Sequence, residues 1–292
     1  MKTNYILNES KEHTCVALGF FDGIHLGHQA VISTAIKKAQ LTNTFSTVFT
    51  FSEHPKNIIK NTKIKNIITP QQKENLLCSM GVSLLYCIDF FEVMNLSPEE
   101  FVKRILIDVL HAKYICCGFN YRFGKGACAD YIDLANICER YGIKVHAIEP
   151  VSTENTIISS SNIRKLIESG NIKSANKMLG HHFSLEFPTA CEYNLSTNAF
   201  KIIINQVFPD DFIVPRYGVY KSYTVVNTCK YYSISVIDST KNASNLPRAI
   251  CKTYLINYKG NLENKNVKVL LAEFLSNDKN FNNIAYLATK NN

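Results

Sequence analysis

From residue 14 to about residue 179 the chain alternates short apolar runs with segments of helical period, and this alternation constrains the fold more than any other feature. "TCVALGF", "FSTVFTF", "VSLLYCI", "AKYICCG" and "IKVHAIE" read as strands, while "HQAVISTAIKKAQ", "PQQKENLLCSMG", "SPEEFVKRILIDVL" and "DYIDLANICERYG" read as the helices between them. Strands joined through helices bury both sheet faces in a parallel, doubly wound α/β sheet. Ser97 before Pro98, Glu99 and Glu100 is a helix-start signal, and Gly81 and Gly142 are stop signals.

After Gly180 the pattern changes. "FKIIINQVF", "YGVYKSYTVV", "YYSISVI", "AICKTYLINY" and "NVKVLLAEFL" alternate apolar and polar residues and are separated by polar turns, which predicts a smaller antiparallel β-barrel domain. "DKNFNNIAYLATK" predicts a terminal helix. The expected division is therefore residues 1–180 and 181–292.

A chain of 292 residues with 46% hydrophobic and 19% charged residues has enough apolar material for two soluble globular domains. Its ten cysteines are scattered without a C-x-x-C pair, which favours reduced, buried thiols over a metal or disulfide framework. No leader-like segment opens the chain, and no uncharged apolar run approaches the roughly 18 residues that span a bilayer, so a cytoplasmic location without membrane contact is expected. The net charge of +8 is spread along a Lys- and Asn-rich chain without a basic block, so no nucleic-acid partner is expected.

Three loops carry chemistry. In an open parallel sheet, ligands bind beyond the carboxyl ends of the strands where the strand order reverses. In "GFFDGIHLGHQ", His25 and His28 follow the first main strand at the start of a helix, with Gly23 and Gly27 beside them. A helix N-terminus suits phosphate, and two imidazoles could donate to phosphoryl oxygens as charge develops. Asp22 with H-x-x-H also allows a metal site, and incidental loop histidines are a third reading. "ISSSNIR" presents Ser159, Ser160 and Ser161 at a helix start with Arg164 one turn in, a second polyphosphate cradle or an over-capped helix. "GFNYRFGKGACAD" mixes glycine and aromatics with Asn120 and Arg122, suited to a flat ring with polar edges or to a glycine-rich surface loop.

Together "GFFDGIHLGHQ", "TFSEHP", "LSPEEFV", "CGFNYRFGKGACAD" and "ISSSNIR" resemble the motifs of prokaryotic bifunctional riboflavin kinase/FAD synthetases, in that family's order and spacing. The resemblance implies a Rossmann-like nucleotidyltransferase domain that adenylylates FMN, followed by a riboflavin kinase β-barrel. It implies ATP binding by Gly19, Phe20, Asp22, Gly23, His25, Gly27, His28, Ser159, Ser160, Ser161 and Arg164. Among these, His25, His28 and Arg164 would act on the reacting phosphates. FMN would be placed by Asn120, Tyr121, Arg122, Phe123, Asp130 and His54. Mg2+ would arrive with ATP rather than on protein ligands. Ser52 and Glu53 stand where the family usually has aspartate and proline, and Ser161 where it has threonine.

The second domain departs further from the resemblance. "YGVY" is present at Tyr217 to Tyr220, but the G-F-P-T-A-N loop expected upstream reads "AFKIIINQVF", and "FPTA" at Phe187 to Ala190 lies displaced from it. Lys252 stands where the family places a catalytic glutamate. An ordinary lysine is protonated and cannot serve as a base. The expectation is an FAD synthetase whose kinase-like domain is degenerate and inactive. The alternatives are an enzyme with both activities, using Thr189, and a flavin-binding regulatory protein without turnover. Oligomeric state is left open.

Overall fold

The computed structural model describes residues 1–153, 156–193, 202–241, 247–258, 260–262 and 267–290. Phe200, Lys201, Lys259 and Asn266, assigned by the sequence to strands and a turn, lie outside them. The chain divides into two compact units.

The first unit is Met1–Ile64 with Pro70–Ile158. It runs β1 (Lys2–Asn4), β2 (Thr14–Leu18), α1 (Leu26–Thr42), β3 (Phe45–Phe51), α2 (Pro55–Lys60), α3 (Pro70–Ser79), β4 (Leu84–Ile88), α4 (Pro98–Glu100), β5 (Ala112–Gly118), β6 (Arg122–Phe123), β7 (Ala129–Asp130), α5 (Tyr131–Glu139), β8 (Lys144–Ile148), β9 (Ser152–Thr153) and β10 (Thr156–Ile157). Six strands form one parallel sheet in the order β1-β4-β3-β2-β5-β8. The five expected strands are there. β1, the polar edge segment "KTN", is added without any apolar pattern to announce it. Every residue of β2 is buried, as a central strand covered on both faces requires.

Ser97 and Glu100 form the reciprocal capping box of α4. Beyond it the expected α-helix widens into a π-helix over Phe101–Val109, with Leu110 N–H reaching Ile105 O at 2.9 Å. Its buried apolar positions 101, 105 or 106, and 110 recur every four to five residues, a spacing that π winding keeps on one face better than α winding does. Gly81 and Gly142 close their helices with φ of +91° and +69°.

The second unit is Lys65–Thr69 with Ser159–Asn292. It contains α6 (Ser160–Glu168), α7 (Ile172–Leu179), β11 (Phe183–Leu185), β12 (Thr189–Tyr193), β13 (Ile202–Val207), β14 (Gly218–Val226), β15 (Cys229–Lys241), β16 (Pro247–Leu255), β17 (Val267–Ser276) and α8 (Phe281–Lys290). The seven strands form a curled antiparallel sheet, β11-β17-β14-β15-β16-β13-β12. β11 and β12 are its outermost strands and do not pair with each other, so the expected barrel is a half-barrel. Gly180 marks where the strand pattern begins, whereas the compact unit begins at Ser159, because α7 packs on β11 and β17 and α6 packs on α7.

Polar side chains from three strands meet inside this sheet. Ser235 Oγ bonds Ser222 Oγ and Thr253 Oγ1, each at 2.8 Å, and Ser233 Oγ bonds Ser222 and Thr224, all of them buried. Hydrogen bonds among buried hydroxyls offset the cost of their desolvation and lock the strand register. On the opposite face Val219, Ile234, Val236 and Ile256 are covered by Ile284 and Ala288 of α8. No helix among the described residues is long and apolar enough to cross a membrane.

Candidate functional site: a histidine pair at the switch point of the parallel sheet

In the first unit the chain leaves β2 through α1 to β3 on one side, while β5 lies on the other, so the strand order reverses between β2 and β5. The loops after β2, β3 and β5 therefore share the carboxyl edge of the sheet, the usual ligand address of such folds. Three of the predicted motifs map onto these loops.

The turn after β2 follows an uncommon backbone path. Phe21, Gly23 and Ile24 all have positive φ, at +55°, +82° and +39°, and Ile24 is β-branched. Left-handed geometry at Phe21 and Ile24 costs about 1–3 kcal/mol each, and such geometry persists where surroundings enforce it. Here both side chains are buried. The Phe20 carbonyl accepts from Thr50 Oγ1 and Lys73 Nζ, each at 2.9 Å, and the Ile24 carbonyl accepts from Gln29 Nε2 at 2.8 Å. Gly19 packs under the Phe21 ring, which a Cβ would meet at 2.8 Å.

This path delivers His25 to the N-cap of α1. Its Nδ1 accepts the His28 backbone N–H at 3.2 Å. That bond needs the Nδ1 lone pair, so the neutral ring carries its proton on Nε2. The His25 and His28 rings stack with centroids 3.5 Å apart and planes 18° from parallel, and the Phe21 ring meets His28 edge-on at 5.3 Å. Since His25 also accepts Gln29 N–H through its carbonyl, the first turn leaves the N–H groups of Leu26 and Gly27 without an intrahelical acceptor. Two imidazoles and a helix N-terminus thus share one spot, a donor array suited to an anion.

Gly27 has a space requirement rather than a conformational one. A Cβ there would sit 3.2 Å from His25 Cε1 and 3.3 Å from Nδ1, so the ring would have to shift by a few tenths of an ångström. Gly27→Ala is expected to slow any reaction that uses this histidine pair about tenfold, the scale of small misplacements in a reacting array. Alanine is the better helix former, so the melting temperature should not fall. An unchanged rate would remove this role from Gly27.

The loop after β3 brings His54 beside the same turn, its ring 4.7 Å from that of Phe20. His54 is the N-cap of α2, its Nδ1 accepting Lys56 N–H at 3.1 Å. The loop after β5 separates into two sets of residues. Phe123 is buried, packs against Phe101 at 5.5 Å and stacks with Tyr121 at 6.0 Å, so both rings extend the core, and burial pushes the Tyr121 phenol well up. Phe119, Asn120 and Arg122 are exposed. Asp130 Oδ1 caps α5 through the N–H groups of Ile132 and Asp133 at 2.9 and 3.3 Å, and Asp130 pairs with Arg122 in the β6–β7 ladder.

The seryl cluster belongs to the second unit. Ser159 caps α6 by accepting Asn162 N–H at 3.2 Å, Ser160 and Ser161 open the helix, and Arg164 Nε donates to Lys65 O at 2.7 Å. In the same unit Lys252 is exposed on β16, opposite Asn205 of β13 and Val236 of β15, and Thr189 opens β12 opposite Gln206.

Sequence reasoning missed the parts played by Lys73 and Thr50. The signal for Lys73 is its position in "PQQKENLL", one turn before Leu77 on the apolar face of α3.

Comparison with known proteins bears on both halves of the chain. The FAD synthetase family model matches residues 7–162, and the riboflavin kinase family model matches residues 169–291. A bifunctional riboflavin kinase/FMN adenylyltransferase of Listeria monocytogenes is 26% identical over 287 residues, covering 92% of this chain and 86% of that one. An FAD synthetase from the same organism is 31% identical over 233 residues, covering 78% and 89%. Among solved structures, a Streptococcus pneumoniae protein described as a macrolide-efflux protein superposes with a TM-score of 0.82 at 27% identity, covering 99% of this chain and 96% of that one. The second domain is thus matched as a riboflavin kinase domain, which corrects the expectation of a degenerate one: the family pattern extends over residues 169–291 and does not hang on the displaced "FPTA" or on Lys252 alone. With its histidine pair at the switch point, and with family matches over both halves, the chain belongs to the FAD synthetase family, in the form joined to a riboflavin kinase domain.

Proposed function

We propose that this FAD synthetase transfers AMP from ATP to FMN in one in-line step, with the FMN phosphate oxygen attacking the α-phosphorus and pyrophosphate leaving. The observation that carries this reading is the stacked His25–His28 pair over the N-terminus of α1. The FMN phosphate is already anionic, so the attack needs no general base. What the step needs is stabilisation of charge on the phosphoryl oxygens. The His25 Nε2–H, the His28 ring and the first N–H groups of α1 are donors of that kind. The turn at Gly19, Phe20, Asp22, Gly23 and Gly27 shapes their approach. By the family resemblance, Ser159, Ser160, Ser161 and Arg164 serve the triphosphate and the departing pyrophosphate. Asn120 and Arg122, with His54 beside Phe20, serve FMN, while Tyr121, Phe123 and Asp130 brace that loop. Asp22 is buried near Lys73, so Mg2+ is assigned to the ATP phosphates as part of the substrate, where it offsets their charge.

For the second domain we propose that kinase chemistry is lost, because Lys252 occupies the glutamate position and an exposed ammonium does not take a proton from the riboflavin hydroxyl. The riboflavin kinase match over residues 169–291 favours the alternative, retention of both activities. One chromatographic assay decides between them. Incubation with Mg-ATP is expected to convert FMN to FAD and pyrophosphate, and to leave riboflavin unphosphorylated. Appreciable FMN from riboflavin would establish the bifunctional reading. Tight FMN binding without any FAD would reject transfer altogether.

A further inference from the structure

We propose that Lys73 is a positioning residue for this transfer: its ammonium ties down the turn after β2 and thereby holds His25 and His28 in place. The inference rests on the adenylyl-transfer reading for its consequence in rate, and on the turn alone for its structural content.

Lys73 lies in the first turn of α3, and its residue is only 7% exposed. Burying an ammonium is costly unless it is well paired. Burial pushes its pKa below the ordinary lysine value, and the Asp22 carboxylate pushes it back up. The side chain has two contacts with one residue of the turn. Nζ donates to the Phe20 carbonyl at 2.9 Å, and it sits over the Phe20 ring at 4.3 Å from the centroid. The same ring packs on His54 at 4.7 Å.

The turn is therefore held at two points. At its start Lys73 and Thr50 fix the Phe20 carbonyl, and at its end Gln29 fixes the Ile24 carbonyl. Between them lie the three positive-φ residues, and directly after them comes His25. Without the ammonium, the start of a strained turn loses its charged donor, and relaxation there is transmitted along four residues to the His25 cap. Lys73 need not touch substrate for this effect.

The test uses the full-length chain with Lys73→Met, which keeps the apolar stem, Lys73→Gln, which keeps a neutral donor, and Lys73→Arg, which keeps the charge. Lys73→Met is expected to lower kcat for FAD formation by about 10- to 100-fold, with KM for ATP and FMN within about threefold of wild type and little change in melting temperature. Lys73→Arg should recover part of the loss. Imidazole 15N NMR provides a readout independent of turnover. The acceptor-type Nδ1 signal of His25 should be clear in the wild type and weakened in Lys73→Met. Wild-type kcat in Lys73→Met, or an unaltered His25 signal, would overturn the proposal. Failure of both Lys73→Met and Lys73→Gln to fold would also overturn it, by making Lys73 a foundation of the domain. If the wild-type protein forms no FAD, the transfer reading fails, while the NMR comparison still decides the role of Lys73.

Discussion

His28→Ala is expected to lower kcat for FAD formation by about 10²- to 10³-fold, the scale for removing one preorganised donor to a developing oxyanion. The substitution is clean because of how the helix is capped. The bond that closes the first turn of α1 uses the backbone N–H of His28, with His25 Nδ1 as acceptor, and alanine keeps that N–H. The ring that is lost stacks on His25 and meets Phe21 edge-on, and the residue is only partly buried. The stability of His28→Ala, read by thermal melting, should therefore stay near that of wild type. His25→Ala should differ: it removes the donor and the cap together, adding a stability loss of about 1 kcal/mol to the rate loss. A rate loss of only a few-fold in His28→Ala would make the phosphate role untenable.

Gly218→Ala should be the most damaging conservative change in the second unit. Gly218 opens β14 with φ +152°, and an added Cβ would meet Phe274 Cε2 at 2.5 Å and the backbone oxygen of Ser276 at 2.7 Å. Both belong to β17, which pairs with β14 along nearly its whole length, so the carbonyl cannot retreat without breaking the ladder. Overpacking and backbone strain each contribute about 1–3 kcal/mol, for a loss of roughly 3 kcal/mol or more in urea unfolding. Gly142→Ala is the control. Its φ is +69° but nothing lies within 4 Å of an added Cβ, so only the backbone cost, about 1 kcal/mol, applies. Equal losses at the two sites would show that steric closure at Gly218 is not what the strand pairing requires.

The parallel sheet was legible because helical and strand periods alternate from residue 14 to about residue 179, and β3 and β5 match their predicted bounds. β1 was not, since a three-residue polar edge strand carries no period. The address of His25 and His28 followed from the same alternation, because a loop after a parallel strand falls at the carboxyl edge of the sheet. The packing of Tyr121 and Phe123 and the cap formed by Asp130 did not follow. An aromatic in a glycine-rich loop reads as a ring platform, and only packing against Phe101 reveals that Phe123 is core. An aspartate before a helix can cap or contact a ligand, and here Asp130 Oδ1 accepts from the N–H groups of Ile132 and Asp133 and so caps α5.

By itself the sequence determined the two fold classes, the order of the main strands and helices of the parallel sheet, and the family, because periodicity, turn residues and short motifs are local properties of the chain. The tertiary structure decided which side chains are buried and what they hold. "YYSISVI" alternates as though Ser233 and Ser235 faced water, yet those serines lie inside the sheet among other hydroxyls while Ile234 and Val236 lie under α8. Lys73 in a polar helix reads as a solvated charge, yet it is buried against the Phe20 carbonyl. The physical reason is the same in both cases. Whether a polar group can leave water depends on partners far away in the chain, and those partners exist only once the strands and helices have packed.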